Sequence, residues 1–449
     1  MNRTVITFQP AGRSILVSLD RAPILFEPNS TKVNLTKIVG DSLVDRGKAI
    51  LKLITARDPV RAGLNFAFAL PENAPPAPLY FHVRADAADV VAWEQIYDDH
   101  LGFCALDARW PIGRIASTVR QVAGQAFTPP LRLVAVLAAA GRDANAQLRA
   151  LCDATSHSAV PTSLHVITGD DDLANAAGAA GASAELISGT SPQVCRQIAA
   201  AQPHLLHVFC HGGVVANAAT LAFATAADVD AGRDDYGSVR VFVPDLVRAL
   251  SVGSNPWLVV LNACETAAAD GGTGEVGTIS NGAIAHDMVS AGLTAVIGMR
   301  RKVELQSANT FCALLYPEVL SVVADALTAA KADPAHADVV IDWAPALTAP
   351  RRALSGPDPS NADGWLDPVL YAQSDDLHIA PTPPGDTGET YARLNGQRDS
   401  FVAFLASLDA ATANHDVITA IHDRIAAIDA QLAAGTANPS APQPAPVPQ

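Results

Sequence analysis

Five short apolar runs spaced through the middle of the chain constrain this sequence more than any other feature. They fall at 131–137, 164–167, 205–210, 257–262 and 294–298. Between them, segments near 143–154, 192–201, 243–251 and 280–291 carry apolar residues at helical spacing. A strand that is apolar on both faces must be covered on both faces, and helices do this in a parallel sheet. The expected fold class is therefore α/β: a mostly parallel, doubly wound sheet with helices on both faces. In such sheets the reactive groups lie beyond the carboxyl ends of the strands.

The flanking regions read differently. Residues 3–8 and 14–19 are β-branched and predict a hairpin, and 35–55 predict a helix. Pro71, Pro75, Pro76 and Pro78 break the chain, so 1–78 is expected to form a small N-terminal α+β region. A strand follows at 79–84, then a helix through Val90, Trp93 and Ile96, and the main domain is expected to run over 79–380. Segment 212–242 reads as a loop. Residues 367–371 read as a last edge strand, because Pro368 sits at its start. Pro381, Pro383 and Pro384 mark a linker at 381–388. Residues 389–434 predict a helical hairpin whose second helix carries a stripe of Ile418, Ile421, Ile425, Ile428 and Leu432. The Pro-rich tail at 435–449 has no core-forming capacity.

Composition narrows the function classes. The net charge of −15 argues against an extended phosphate-binding surface, so no direct nucleic-acid partner is expected. No uninterrupted apolar run of about 18 residues occurs and the first residues do not form a secretory signal, so no membrane span and a cytoplasmic location are expected. The six cysteines are scattered without a C-x-x-C pair, which indicates neither a zinc site nor a disulfide scaffold. No metal and no cofactor are expected.

Two strand ends carry chemistry. The run at 205–210 leads into His211-Gly212-Gly213, and the run at 257–262 leads into Ala263-Cys264-Glu265-Thr266. A histidine and a cysteine on the same sheet edge can act as base and nucleophile, because an imidazole raises the thiolate fraction or takes the proton during attack. The glycines are expected to let the backbone turn sharply, and the amides of Gly212 and Cys264 are candidate donors to an oxyanion. The separation of about 50 residues from His211 to Cys264 is that of caspase-like enzymes.

Several segments together resemble the CHAT domain, a bacterial module of the clan that includes caspases, separase and clostripain. Residues 206–212 (Leu-His-Val-Phe-Cys-His-Gly) resemble its histidine strand, and 258–267 (Leu-Val-Val-Leu-Asn-Ala-Cys-Glu-Thr-Ala) its cysteine motif. Residues 291–300 resemble its next helix–strand unit, and 91–97 and 106–112 its entry region. The likeness spans roughly 79–375. It implies a caspase-like fold and a cysteine endopeptidase that needs no cofactor, with His211 as base and Cys264 as nucleophile. It further implies a protein substrate, an activating protein or ligand, and regulated proteolysis in bacterial (antiviral) defence or cell death. The eukaryotic caspase signature around the cysteine is not met: Asn262, Glu265 and Thr266 stand in its variable places. A preference for aspartate before the cleaved bond therefore does not carry over. Asn262, Asp270 and Arg301 are the candidate substrate-binding residues, and Arg300 with Arg301 would suit acidic side chains. Two other readings remain at this level: a catalytically silent interaction module of the same fold, and a small-molecule amidase or acyltransferase using the same Cys–His pair.

Overall fold

The computed structural model describes residues 3–56, 58–118, 125–187, 189–215, 218–233, 237–253, 255–262, 281–301, 303–332, 339–381, 398, 401 and 415–436. The chain divides into two compact units, Met1–Pro381 and Thr382–Gln449. The first opens with strands β1 (Thr4–Ala11), β2 (Ser14–Arg21) and β3 (Ser30–Val33), helices α1 (Leu43–Ile54) and α2 (Asp58–Phe68), strand β4 (Leu79–Val83) and the short helix α3 (Asp86–Asp89). A small hairpin of β5 (Tyr97–Asp98) and β6 (Gly102–Phe103) precedes β7 (Ile112–Ile115) and β8 (Gln125–Phe127). The central alternation runs β9 (Leu131–Leu137), α4 (Asn145–Ser156), β10 (Thr162–Thr168), α5 (Asp171–Ala179), β11 (Ser183–Leu186), α6 (Ser191–Ala200) and β12 (Leu205–Phe209). It continues through β13 (His211–Val215), β14 (Ala218–Phe223), α7 (Ala226–Asp230), β15 (Val239–Phe242), α8 (Val243–Gly253), β16 (Leu258–Leu261), α9 (Asn281–Ser290) and β17 (Ala295–Met299). Helix α10 (Leu305–Ala332), β18 (Val339–Ile341), α11 (Thr348–Ser355), β19 (Pro368–Ala372) and β20 (Leu377–Pro381) complete the unit.

Among the described residues, twelve strands form one sheet in the order β11-β10-β9-β12-β16-β17-β19-β7-β4-β1-β2-β3. The six from β11 to β17 run parallel, with the helical crossovers that the sequence pattern requires. Strand β19 then pairs antiparallel with β17, and β7, β4 and β1 run parallel to β19. Strands β2 and β3 add to β1 in antiparallel pairs, and two parallel blocks of opposite direction, β11 to β17 and β19 to β1, meet at the antiparallel β17–β19 seam. The fold is α/β and mostly parallel, as the apolar runs imply.

Alternation along the strands divides the core. On β16, Leu258 and Val260 face the layer of α4 and α10, while Val259 and Leu261 face the opposite layer of α8 and α9. Leu131, Leu133 and Leu137 of β9 and Val134 and Val136 of the same strand divide likewise, the period-2 rule for a strand buried on both sides. A third core lies under α1 and α2, built on Phe8, Phe81 and Trp93, whose rings stack at 4.2 and 5.1 Å. Helix α10 is long and apolar enough to cross a membrane by length and composition, and here its Phe311, Leu315, Tyr316, Val319 and Val323 are buried in the first core.

Several expectations are corrected. Region 1–78 contributes β1 to the sheet, paired with β4 from Thr4↔Leu79 to Phe8↔Val83, so the prolines at 71–78 mark a turn before β4 within one unit. The helix expected over 35–55 begins only at Leu43, because Ser42 caps it by accepting from Asp45 N at 3.0 Å. The expected edge strand at 367–371 is β19, an interior strand at the seam. Proline is tolerated there because it occupies the strand's first position. Within segment 212–242, expected as a loop, the described residues include β13, β14 and β15, which make a three-stranded antiparallel sheet. Of the second unit, the described part is Arg398, Phe401 and a helix His415–Thr436, in which Ile421 and Ile428 of the expected stripe are buried. Apart from Arg398 and Phe401, the first helix expected in 389–434 lies outside the described residues, as does the tail 437–449.

The seam is braced by buried charge. The Arg114 guanidinium of β7 donates bidentately to Glu94, Nε to Oε1 at 3.0 Å and Nη2 to Oε2 at 2.8 Å, and both side chains are buried. Burial opposes the charge on Glu94, but Arg114 outweighs it and holds the carboxyl below the ordinary carboxylate value. Arg351, also fully buried, donates to the carbonyls of Ile112 and Pro368 and so ties the starts of β7 and β19 together. Replacing Glu94 by Gln removes the bidentate partner and leaves the buried Arg114 charge with only Asp89, at 3.2 Å, to compensate it. Urea denaturation of Glu94→Gln is expected to show a loss of about 3–5 kcal/mol, partly recovered in Glu94→Gln/Arg114→Met.

A second outcome follows from β12. His207 is fully buried against the Tyr316 ring at 5.4 Å, and among the described residues neither ring nitrogen has a hydrogen-bond partner. Burial pulls its pKa down to about 3 from an ordinary 6.5. Between those values the unfolded chain binds a proton that the native chain does not, so stability is full above pH 6.5 and falls as the pH drops. The wild type is expected to lose about 1.4 kcal/mol more per pH unit between pH 6 and 5 than His207→Phe, read from urea midpoints.

Candidate functional site

The carboxyl ends of β9, β12, β16 and β17 lie on one edge of the sheet because these strands are parallel. The chain leaves β12 through Cys210, which turns into the core of the α6 and α8 layer, and His211 opens β13. Successive side chains point to opposite sides, so Cys210 is core and His211 faces the sheet edge. His211 is 1 % exposed, and its Nε2 lies 2.7 Å from the carbonyl oxygen of Ala140, just past the end of β9. A carbonyl oxygen can only accept. The ring therefore carries its proton on Nε2, and Nδ1 is the nitrogen with the basic lone pair. Ala140 is itself placed by the sheet: Ala138 donates to Phe209 O at 2.8 Å and accepts from Ala224 N at 2.9 Å.

Gly212 and Gly213 do not make the expected sharp turn. They are extended residues of β13, paired with Leu221 and Thr220 of β14. Their pairing with β14 leaves them no turn to make, and a Cβ at Gly213 would meet only Thr220 Oγ1, at an ordinary 3.7 Å. The close approach at this edge is at Gly169 after β10, where a Cβ would stand 2.1 Å from Ala224 O.

Asn262, expected to bind substrate, caps the end of β16. Its backbone amide donates to Val208 O at 2.9 Å, and its side-chain Nδ2 donates to Gln147 Oε1 at 3.1 Å and to Ala308 O at 2.9 Å. Gln147 in turn donates to Asn309 Oδ1 at 2.7 Å. Residue 262 is 1 % exposed, so this chain of amides pins the end of β16 between α4 and α10. Cys264 and Asp270 lie outside the described residues, as does the Gly-rich segment 270–277. Arg301, just beyond β17, points toward the seam. It donates to Asp367 Oδ1 at 2.7 Å and Oδ2 at 3.1 Å, and it pairs with Asp363. Its guanidinium is thus neutralised within the chain. The structure brings His211 and the end of β16 to one edge, and it places Arg301 on a different face from Asn262's anchor.

Sequence reasoning missed the Ala140 carbonyl. A backbone oxygen has no residue-type signature, and only the strand order places it against His211. A cavity of about 270 Å³ opens beside it, at the ends of β9 and β10, with Thr168, Asp170, Arg142 and Arg233 among its lining residues. The remaining described thiols are poor nucleophiles. Burial pushes those of Cys104 and Cys312 far up, that of Cys195 up to about 12, and that of Cys152 upward as well.

The family profile of the CHAT domain matches residues 111–351, more than half of the chain, from the start of β7 into α11. No curated protein matches the chain. The matched span holds the His211 strand, the β16 end that leads into Cys264, and both helical layers that pin them. The chain belongs to the CHAT-domain family, whose fold is related to that of caspase-like peptidases.

Proposed function

We propose that the protein is a cysteine endopeptidase in which His211 and Cys264 form the catalytic pair. The observation that carries this reading is the His211–Ala140 bond. It fixes the imidazole's tautomer and orientation at the carboxyl end of β12, the strand paired with β16, and two residues past the described end of that neighbour stands Cys264. In the reaction, His211 Nδ1 takes the thiol proton as Cys264 Sγ attacks the peptide carbonyl. The oxyanion is received by the amides of Gly212 and Cys264. Collapse breaks the C–N bond, the amine leaves with the proton from the imidazolium, and a thioester remains. Water then attacks as His211 takes its proton, and the acid and the free thiol are released. The substrate is proposed to be a protein of the same compartment, the cytoplasm. The proposed setting is triggered proteolysis in bacterial defence or cell death, which rests on family membership alone.

Labelling with a thiol-reactive peptide-like probe at neutral pH, read by peptide mapping, tests the pair. Cys264 is expected to label first, ahead of half-buried Cys152, with Cys104, Cys195 and Cys312 silent until the chain unfolds. His211→Ala is expected to slow cleavage of a protein substrate by about 10²–10⁴-fold, the usual contribution of a positioned base, and Cys264→Ala to abolish it. Equal labelling of Cys264 and Cys152 in both wild type and His211→Ala would sink the reading and leave a silent interaction module.

A further inference from the structure

A cleft of about 580 Å³ opens where β17, β19 and β7 meet the N-terminal elements. Its lining includes four arginines whose situations differ. Arg114 is neutralised by Glu94 and Asp89, and Arg301 by Asp363 and Asp367. Arg300 has no such partner among the described residues. Its Nη2 donates to the Val90 carbonyl at 2.6 Å, and among the described residues it forms no ion pair with a carboxylate. Burial and the neighbouring Arg114 both disfavour its charge, Glu94, Tyr371 and Asp367 compensate incompletely, and its pKa lies below that of an ordinary arginine. Arg46 across the cleft donates from its side chain to a carbonyl, that of Gly40 at 3.2 Å. The rim is apolar: Leu35, Ile38 and Val91 line it, and Val90 is 73 % exposed.

We propose that this cleft binds a peptide segment of a protein partner, with Arg300 receiving one carboxylate side chain and the apolar rim holding the residues that flank it. A planar guanidinium offers paired donors that match a carboxylate. Asp89 and Asp363 line the same cleft already paired with Arg114 and Arg301, so Arg300 is left to match the single charge of one carboxylate. The exposed Val90 beside Ile38 and Leu35 adds apolar surface that a small free anion would leave uncovered. This goes beyond the peptidase reading and does not rest on it, because the property tested is binding.

The test uses the full chain carrying Cys264→Ala, so that no probe is cleaved. It is applied to an immobilised array of pentapeptides with a central Glu flanked by Val, Leu, Ile or Ala. Matched arrays carry central Gln or phosphoserine, and inorganic phosphate is the soluble competitor. Glu-centred peptides are expected to bind, and both the Gln centre and Arg300→Gln to weaken binding by about 10–100-fold, the worth of a hydrogen bond to a charged group. Val90→Asp, at an exposed position that leaves folding intact, is expected to weaken the same peptides by repulsion, and it decides the matter if Arg300→Gln melts early. No binding to the Glu array, equal binding of Glu and Gln centres, preference for phosphoserine or displacement by phosphate, or binding unchanged in Val90→Asp would each overturn the proposal.

Discussion

Between Ala295↔Ala372 and Met299↔Pro368, five antiparallel pairs join two parallel half-sheets that run in opposite directions. The side chains around this seam depend on its register. A one-residue slip would exchange Tyr371 and Val369 with Leu370 across the faces of the sheet. Tyr371 would then leave Asp89, to which its hydroxyl donates at 2.5 Å, and Arg114 would lose one wall of its pocket. The buried Arg114–Glu94 pair and the buried Arg351 are costly to desolvate, and each makes sense only in the register that supplies its partners. Arg301 reinforces the same register from outside, through Asp363 and Asp367 at the entry to β19.

The seam also decides what lies beside what at the edge. Because β12, β16 and β17 end together, His211, Asn262 and Arg300 come from strand ends that follow one another across the sheet. Each is held differently. His211 is oriented by a backbone oxygen, and Asn262 is locked by amide hydrogen bonds to α4 and α10. Arg300 is left facing a cleft with a carbonyl as its hydrogen-bond partner. Reactive groups placed at the ends of packed strands keep their geometry because the strands cannot shift without disturbing both helical layers.

Much of this was legible in the residues. Strand β9 coincides with the apolar run at 131–137, and the other four runs fall within a residue or two of their strands. A continuous apolar run has few other ways to be buried. What was misread lacked such a pattern or depended on a partner far away in sequence. The hairpin 211–223 contains glycines and alanines that carry little strand signal. The place of β19 inside the sheet depends on β7, which arrives from more than 250 residues earlier. The join of β1 to β4 depends on a crossover through α1 and α2 that prolines at 71–78 disguised as a boundary.

The sequence by itself determined the α/β class, the order of the central strands and helices, and the two strand ends where histidine and cysteine stand. Periodicity and residue type are local properties, and they suffice for these. Only the tertiary structure decided the antiparallel seam, the Ala140 oxygen as the partner of His211, the anchoring of Asn262, and the difference between Arg300 and Arg301. Those two arginines are adjacent and chemically identical in sequence. Among the described residues one finds carboxylates at Asp363 and Asp367 and the other a backbone carbonyl, because charge compensation is set by distance in space and not by position along the chain.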